Sequence, residues 1–466
     1  MNKGLRTFLL MTMVVATLVG LHFPPTLSIG DYELRVVDVL SDVTKPRGEE
    51  SASATAASDL KSAYYQGLNT EQAAITEGEN PTDSLTDSIQ SRHPLSHFFS
   101  RLDSARLRPV RIAYFGDSFI EGDILTSALR ELLQQEYGGR GVGWTDIQSS
   151  VAGFRTTVLE LSQGWDEHNV VGVNSSGFDM KAQGISGRYY TPNAGAYIDL
   201  RGQKRVYPEH LDTVQRATLY FTPEPNLRMS CSVNGEAYQP LYEATDSISQ
   251  DTVEAVTVKG KIGRIRVTVE GGGRFYGMAL ESWRGISLDC FSMRGSVGWH
   301  IGTVPENVLR QFARLRQYDL IIMHFGLNMA SPSVRTYVPY QTRFKQCIEL
   351  YKHVFTNTSF LLVSMNDRDV RGADGQFHTM GGVLQLVEAQ RQMAEDESIA
   401  FWNLQEAMGG EGSMVRLQQE GKANRDYTHI NFRGGEELGQ LFFNFLQEEK
   451  HKYDAQKTKT SEQPTN

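Results

Sequence analysis

A serine, a histidine and an aspartate in this sequence have the types and spacing that nucleophilic acyl transfer requires. Ser118 directly follows the stretch RIAYFGD, and Asp426 and His429 lie three positions apart in RDYTHINF, near the end of the chain. A serine hydroxyl becomes a good nucleophile when a base takes its proton, which an imidazole with a pKa of about 6.5 does at neutral pH. A carboxylate on the other ring nitrogen fixes the tautomer of the imidazole. We therefore predict Ser118 as nucleophile, His429 as base and Asp426 as the group that orients it.

Further residues have the types needed for an oxyanion hole. The tetrahedral intermediate of acyl transfer places negative charge on the carbonyl oxygen, and preset N–H groups stabilise that charge. Gly295 follows the apolar stretch ISLDCFSM closely, and Asn328 follows LIIMHF closely. We predict an oxyanion hole formed by the backbone N–H groups of Ser118 and Gly295 and by the side-chain amide of Asn328.

Strands and helices alternate in two parts of the chain. Strands that are apolar throughout and alternate with amphipathic helices are typical of a parallel sheet covered on both faces. Ligands of such sheets bind beyond the carboxyl ends of the strands, where Ser118, Gly295 and Asn328 stand. The predicted strands lie at 111–116, 286–293, 319–326, 360–367 and 399–404, and the predicted helices at 124–137, 304–315, 340–354, 382–396 and 434–449.

A segment with a different residue pattern separates the two parts. It contains short stretches of alternating apolar and polar residues, such as RIRVTVE, with Gly, Pro and Asn between them. Several strands at such short spacing predict an antiparallel sandwich. We therefore expect an α/β domain in two parts, at 93–148 and 284–450, interrupted by an inserted β-sandwich at 149–283.

The terminal segments differ in composition from both domains. Lys3 and Arg6 precede a long apolar run, which is typical of an export signal. We expect residues 1–25 to be a signal peptide or, because no A-x-A-like cleavage site follows, an uncleaved anchor. The polar composition of 26–92 and 451–466 predicts a flexible tether and a disordered tail. The protein is then exported to the periplasm or cell envelope, with membrane contact only through its N-terminal segment.

Charge and cysteine content exclude some classes of function. The 466 residues carry a formal net charge of −9 with a pI near 5.7, whereas a general nucleic-acid binder normally has a basic excess. The three cysteines, Cys231, Cys290 and Cys347, show no zinc-ligand spacing and are expected to be buried thiols.

Carboxylates cluster around Ser118, and the polar run there has three interpretations: an ordinary turn, an acidic metal-binding loop, or a turn that displays a nucleophile. A hard cation requires several converging oxygen ligands, but Asp117, Glu121 and Asp123 do not follow the spacing of a calcium loop. We therefore predict neither a metal nor a cofactor. Glu121 and Asp123 are expected to satisfy the N-terminus of the next helix.

The order of these motifs resembles that of the SGNH/GDSL hydrolases. The chain has GDS at 116–118, RGS around Gly295, GLN at 326–328 and DYTH at 426–429. In the usual third block an aspartate follows the asparagine, whereas here Met329 does. The resemblance implies a flavodoxin-like three-layer α/β fold, a triad and oxyanion hole at the residues named above, and a role for Gly116 and Asp117 in shaping the nucleophile turn.

The resemblance also suggests a substrate class. SGNH proteins of the envelope that carry an inserted β-sandwich resemble polysaccharide and peptidoglycan O-acetylesterases, in which the sandwich looks like a carbohydrate-binding module. We expect a serine esterase that removes O-acetyl groups from such a polymer through an acyl-enzyme. Two alternatives stay open: an O-acetyltransferase using the same triad, and a non-catalytic envelope protein that binds glycan.

Overall fold

The computed structural model describes residues 27–29, 32–34, 93–171, 178–203, 210–245, 251–334 and 336–461. The chain divides into two units, Met1–Ser88 and Ile89–Asn466. In the first, strands β1 (Leu27–Ile29) and β2 (Tyr32–Leu34) form an antiparallel pair. The predicted signal or anchor and most of the predicted tether lie outside the described residues. Within the described part of the chain, no helix has both the length and the apolar character that crossing a membrane requires.

The second unit contains both predicted domains. Its strands are β3 (Pro109–Gly116), β4 (Gly143–Thr145), β5 (Val158–Glu160), β6 (Gln163–Asn169), β7 (Arg188–Gly202), β8 (Val214–Pro223), β9 (Arg228–Val233), β10 (Gln239–Glu243), β11 (Glu254–Ile262), β12 (Arg264–Glu270), β13 (Gly273–Glu281), β14 (Gly285–Ser292), β15 (Leu320–His324), β16 (Ser359–Val363), β17 (Asp369–Arg371), β18 (Phe377–Thr379) and β19 (Ala400–Trp402). Its α-helices are α1 (Ser96–Leu102), α2 (Thr126–Tyr137), α3 (Glu306–Arg316), α4 (Val338–Val354), α5 (Val383–Asp396), α6 (Leu404–Ala407), α7 (Ser413–Gln419) and α8 (Phe432–Ser461). Short 3₁₀ helices lie at Ser118–Asp123, Met180–Ala182 and Trp299–Thr303.

Five strands form a parallel sheet in the order β14-β3-β15-β16-β19. Successive residues of β3 point to opposite faces: Ile112 and Tyr114 pack with α1, α2 and α8, and Ala113 and Phe115 pack with α3, α4 and α5. The sheet is therefore the middle of three layers, and the predicted flavodoxin-like α/β fold is confirmed.

The register of the parallel sheet aligns the ends of its strands. Gly116 pairs with Ser292 on one side and with His324 on the other, and His324 pairs with Val363. The loops that carry Ser118, Gly295 and Asn328 therefore leave the sheet at one edge.

The inserted domain is antiparallel, as predicted. Its main strand order is β10-β9-β12-β7-β13-β8-β11, with β4 paired to β13 and both β5 and β6 paired to β7. The strands enclose a separate apolar core that includes Ile198, Leu219, Val267 and Phe275. This confirms an inserted β-sandwich, entered after α2 and left before β14.

Two boundaries differ from the sequence expectation. Strand β4 precedes residue 149, where the insertion was expected to begin, yet it already pairs with β13 of the sandwich. A strand of three residues is too short to show a period. Helix α8 was expected to end near Glu449 but continues to Ser461, into the segment 451–466 predicted as a disordered tail. A salt bridge between Lys450 and Asp454, one helical turn apart at 2.8 Å, supports the extension.

A buried cluster of charges joins the two domains. Glu281 of β13 lies 3.1 Å from Arg111 of β3, 2.9 Å from Arg316 of α3 and 2.8 Å from Arg216 of β8. Arg316 also binds Asp289 of β14 at 2.7 Å. Burial raises the pKa of Glu281, but the three guanidinium groups outweigh it and hold that pKa well below the usual range. We call these five residues the interdomain ion cluster.

Candidate active site

Ser118 begins the 3₁₀ turn directly after β3. At Gly116, a Cβ atom would lie 2.9 Å from the carbonyl oxygen of His324 and 2.8 Å from the side chain of Ile120, so only glycine fits there. The Asp117 carboxylate accepts a hydrogen bond from the Phe119 N–H at 3.0 Å, which caps the turn. The chain can therefore reverse abruptly and leave the Ser118 side chain at the end of the strand.

Asp117 is buried and also interacts with the loop that carries Asn328. Burial raises its pKa to about 6, although N–H groups of Phe119, Leu327 and Gly326 hydrogen-bond to the carboxylate and oppose that shift. The carboxylate thus ties the turn at 117–123 to the loop after β15. We call this segment the nucleophile turn, after the role predicted for Ser118. This arrangement agrees with a turn-shaping role for Asp117.

One hydrogen-bonded chain joins Ser118 to His429 and Asp426, which lie about 310 residues further along the sequence in a single turn. The Ser118 Oγ lies 2.9 Å from His429 Nε2, and His429 Nδ1 lies 2.8 Å from Asp426 Oδ2. A serine, a base and an orienting carboxylate in this order constitute the geometry of an acyl-transfer triad. The three predicted residues are therefore brought together.

The turn between α7 and α8 holds Asp426 in place. The Asp426 Oδ1 accepts hydrogen bonds from the N–H groups of Thr428 and His429, at 3.0 and 3.1 Å. Tyr427, between them, has a positive φ of 53°, which closes the turn tightly. Burial raises the pKa of Asp426, but the hydrogen bonds from His429 and the backbone outweigh it, so the pKa lies below its ordinary value. Asp426 is thus an ionised acceptor for His429 at neutral pH.

The predicted oxyanion donors border the same loops. One side-chain N–H of Asn328 donates to the Ser296 carbonyl at 3.0 Å, beside Gly295, which leaves its other N–H open. The Met293 N–H donates to the Gly116 carbonyl at 2.8 Å, which fixes the Gly295 loop to the end of β3. Within the described residues, the N–H groups of Ser118 and Gly295 donate to no protein acceptor. All three predicted donors are therefore available to a bound group.

Two acidic residues of the nucleophile turn differ from expectation. Asp123 and Glu121 do not cap α2, whose N-cap residue Leu125 makes no side-chain capping bond, so that prediction was wrong. Asp123 is instead buried against Arg130 at 3.0 Å and Arg155 at 2.8 Å. Both carboxylates have guanidinium partners, because Glu121 is paired with Arg294 of the loop after β14.

Arg155 and Arg294 were missed by the sequence reasoning. Each is a single arginine in a loop, and its acidic partner is separated from it by many residues. No periodicity marks either arginine, and the RGS motif that contains Arg294 does not reveal its partner Glu121. Arg294 stands next to Gly295, and Arg155 comes from the first loop of the insertion. The nucleophile turn is therefore held by arginines from two different segments.

A polar cavity of about 390 Å³ lies beside the nucleophile turn, between the domains. Its lining includes Glu121, Ser292 and Arg294 from the α/β domain and Asp146, Glu167 and Arg188 from the other side. Arg188 crosses the boundary, with its guanidinium 2.7 Å from Asp146 and 2.8 Å from the Ser292 carbonyl. The sandwich thus contributes to the edge of the sheet at which Ser118 lies.

No metal-binding cluster of three or more His, Cys, Asp or Glu side chains occurs among the described residues. Cys231, Cys290 and Cys347 are free thiols. Cys231 and Cys347 are buried, as expected, and Cys290 is partly exposed.

The parallel sheet between two helical layers, together with the inserted sandwich, is the three-layer α/β fold that the resemblance to the SGNH/GDSL hydrolases implies. A solved structure of a peptidoglycan O-acetylesterase aligns with a TM-score of 0.63 at 18% identity, covering 77% of this chain and 96% of that chain. At this identity the likeness shows a shared fold.

Other solved structures align less completely. A GDSL-like lipase described as putative, from Parabacteroides merdae ATCC 43184, is 14% identical, with 34% of this chain and 72% of that chain covered and a TM-score of 0.26. A family two carbohydrate esterase from Cellvibrio japonicus is 9% identical, with 63% of this chain and 98% of that chain covered and a TM-score of 0.27. No protein-family model matches the sequence, and no curated protein matches it either.

Proposed function

We propose that this protein is a serine esterase that removes O-acetyl groups from a polysaccharide of the cell envelope or outside the cell. The observation that carries the proposal is the continuous chain of hydrogen bonds from Ser118 Oγ through His429 to Asp426, at 2.9 and 2.8 Å. Such a chain activates a hydroxyl for attack on an ester carbonyl.

Ser118 and His429 carry the chemistry. Ser118 Oγ attacks the acetyl carbonyl while His429 Nε2 takes its proton, and Asp426 stabilises the imidazolium that forms. The N–H groups of Ser118, Gly295 and Asn328 receive the oxyanion. His429 then gives the proton to the departing sugar oxygen, which leaves an acetyl ester on Ser118. Water, deprotonated by the same histidine, attacks this ester and releases acetate.

A polar polymer suits the surroundings of Ser118 better than a lipid. The adjoining cavity presents charged side chains from both sides, among them Glu121, Arg294 and Arg188. Hydroxyl-rich sugars and the carboxylates of peptidoglycan are matched by such donors and acceptors. An envelope location fits the basic and apolar N-terminal segment, which suggests export and tethering.

The experiment is release of acetate by the purified full chain. O-acetylated peptidoglycan and acetylated xylan are supplied separately, and free acetate is quantified against the Ser118→Ala variant. We expect release from at least one polymer by the wild type, and a loss of several orders of magnitude in the variant. Equal release by both proteins would refute the role of Ser118. Adding a non-acetylated glycan and measuring its acetylation distinguishes hydrolysis from transfer.

A further inference from the structure

One half-exposed aromatic ring lies against the catalytic loops. Phe154, in the first loop of the insertion, keeps 48% of its surface exposed. The edge of its ring covers Gly122 of the nucleophile turn so closely that a Cβ atom there would lie 2.6 Å from Phe154 Cδ1. The same ring packs on Phe432 with centroids 5.2 Å apart and an angle of 35° between the planes. Phe154 thus contacts both the turn that begins at Ser118 and the helix that begins just after His429.

The loop that carries Phe154 is held to the nucleophile turn by buried charges. Arg155 lies 2.8 Å from the Asp123 carboxylate, and the Thr157 hydroxyl donates to the same group. Burial raises the pKa of Asp123, but Arg130 and Arg155 outweigh it and keep the group ionised. Because Asp123 belongs to the turn of Ser118, the position of the ring relative to the nucleophile is fixed.

The contacts of Phe154 leave about half of its surface open to solvent. The exposed part borders the turn that begins at Ser118 and the helix that begins just after His429. An exposed aromatic side chain fixed against the turn of Ser118 provides an apolar surface on which the C–H face of a pyranose ring can pack.

We propose that Phe154 is a substrate-positioning residue, on which a pyranose ring of the polysaccharide stacks while its acetyl group meets Ser118. The inference rests on the proposed function and adds the contact that holds the sugar. It also assigns a specific role to the insertion, which supplies the ring.

The test compares Phe154→Ala and Phe154→Tyr with a matched control. Leu161→Ala removes another exposed apolar side chain of the insertion, 44% exposed, from a loop that makes no described contact with Ser118 or His429. The substrates are soluble O-acetylated peptidoglycan fragments and p-nitrophenyl acetate. We expect Phe154→Ala to raise KM for the fragments by about tenfold, equivalent to about 1.4 kcal/mol, while kcat changes by less than about threefold. Phe154→Tyr keeps the ring and should restore KM, and Leu161→Ala should match the wild type.

A second measurement separates this inference from the proposed function. Binding of non-acetylated peptidoglycan fragments is measured by calorimetry in the Ser118→Ala background, with and without Phe154→Ala. Weaker binding without Phe154 supports the stacking contact even if the wild type releases no acetate, a result that would refute only the esterase. Unchanged KM and unchanged binding would overturn the role of Phe154. An equal loss on fragments and p-nitrophenyl acetate that Phe154→Tyr does not restore would also overturn it, since it would indicate a purely structural role.

Discussion

Replacing Asp426 by asparagine and by alanine tests how the triad is oriented. In the wild type, Oδ1 accepts two backbone N–H groups and Oδ2 faces His429 Nδ1. In Asp426→Asn, the amide oxygen keeps the two backbone bonds, and the NH₂ group then faces Nδ1. The imidazole must accept that bond at Nδ1 and carry its proton on Nε2, where it cannot take the proton of Ser118. Asp426→Asn, although isosteric with the wild type, is therefore expected to have a lower kcat than Asp426→Ala.

The size of the effect follows from the hydrogen bonds. Turning the amide over sacrifices two backbone bonds worth about 1 kcal/mol each, which leaves about 3% of the molecules in the productive orientation. Loss of the negative charge beside the imidazolium adds about 1–2 kcal/mol. The sum of about 3–4 kcal/mol predicts a loss of roughly two to three orders of magnitude in kcat. Asp426→Ala admits water to Nδ1, because the Asp426 side chain is 48% exposed, and should lose about one order of magnitude.

The assay is steady-state hydrolysis of p-nitrophenyl acetate at a fixed pH above 7 by the wild type, both Asp426 variants and His429→Ala. We expect kcat to decrease in the order wild type, Asp426→Ala, Asp426→Asn and His429→Ala. An asparagine variant that is faster than the alanine variant would refute the argument, since the backbone bonds would then not determine the amide orientation.

Three further outcomes are expected. Asn328→Ala should lower kcat about 100-fold with little change in KM, because an oxyanion donor acts on charge present only in the transition state; a pure KM effect in the same assay would place Asn328 in ground-state binding. Burial raises the pKa of Asp117 from 3.8 to about 6. Because the folded state then binds the proton more tightly than the unfolded state, the free energy of unfolding falls by about 3 kcal/mol as the pH rises from below 3.8 to above about 6. Urea unfolding should show Asp117→Asn gaining that amount relative to the wild type between pH 4 and 7, and a pH-independent difference would contradict it. Glu281→Gln should lower the free energy of unfolding by about 3–5 kcal/mol. The control Glu243→Gln affects the exposed pair with Arg228 and should lower it by less than about 1 kcal/mol. Equal losses would show that the buried charge of Glu281 contributes no more to stability than an exposed one.

The three residues of the candidate triad could be selected from the sequence because each depends on its local sequence. Ser118 follows an apolar strand directly, and Asp426 and His429 are close enough for one turn to join them. The five strands of the sheet were predictable for the same reason, since each is a short run rich in apolar residues. Their parallel arrangement then follows from the helices between them.

Contacts between distant segments were not predictable. The partner of Asp123 is Arg155, but nothing in the sequence distinguishes this arginine from one exposed to solvent. Arg316 lies at the end of an amphipathic helix, where a charged residue is expected to face water. Its side chain is instead fully buried and is paired with Asp289 and Glu281. Buried ion pairs are specified by geometry that forms only after the chain has folded, so no sequence period reveals them.

The interdomain ion cluster bears on whether the sandwich is a separable module. Glu281 and Arg216 come from the insertion, and Arg111 and Arg316 come from the α/β domain. Excising 149–283 would leave two buried guanidinium groups without Glu281, at a cost comparable to much of the stability of a domain. The two domains should therefore melt in a single calorimetric transition rather than in two. Transplanting the sandwich onto another hydrolase would then require the recipient to carry the matching arginines on its first strand and third helix.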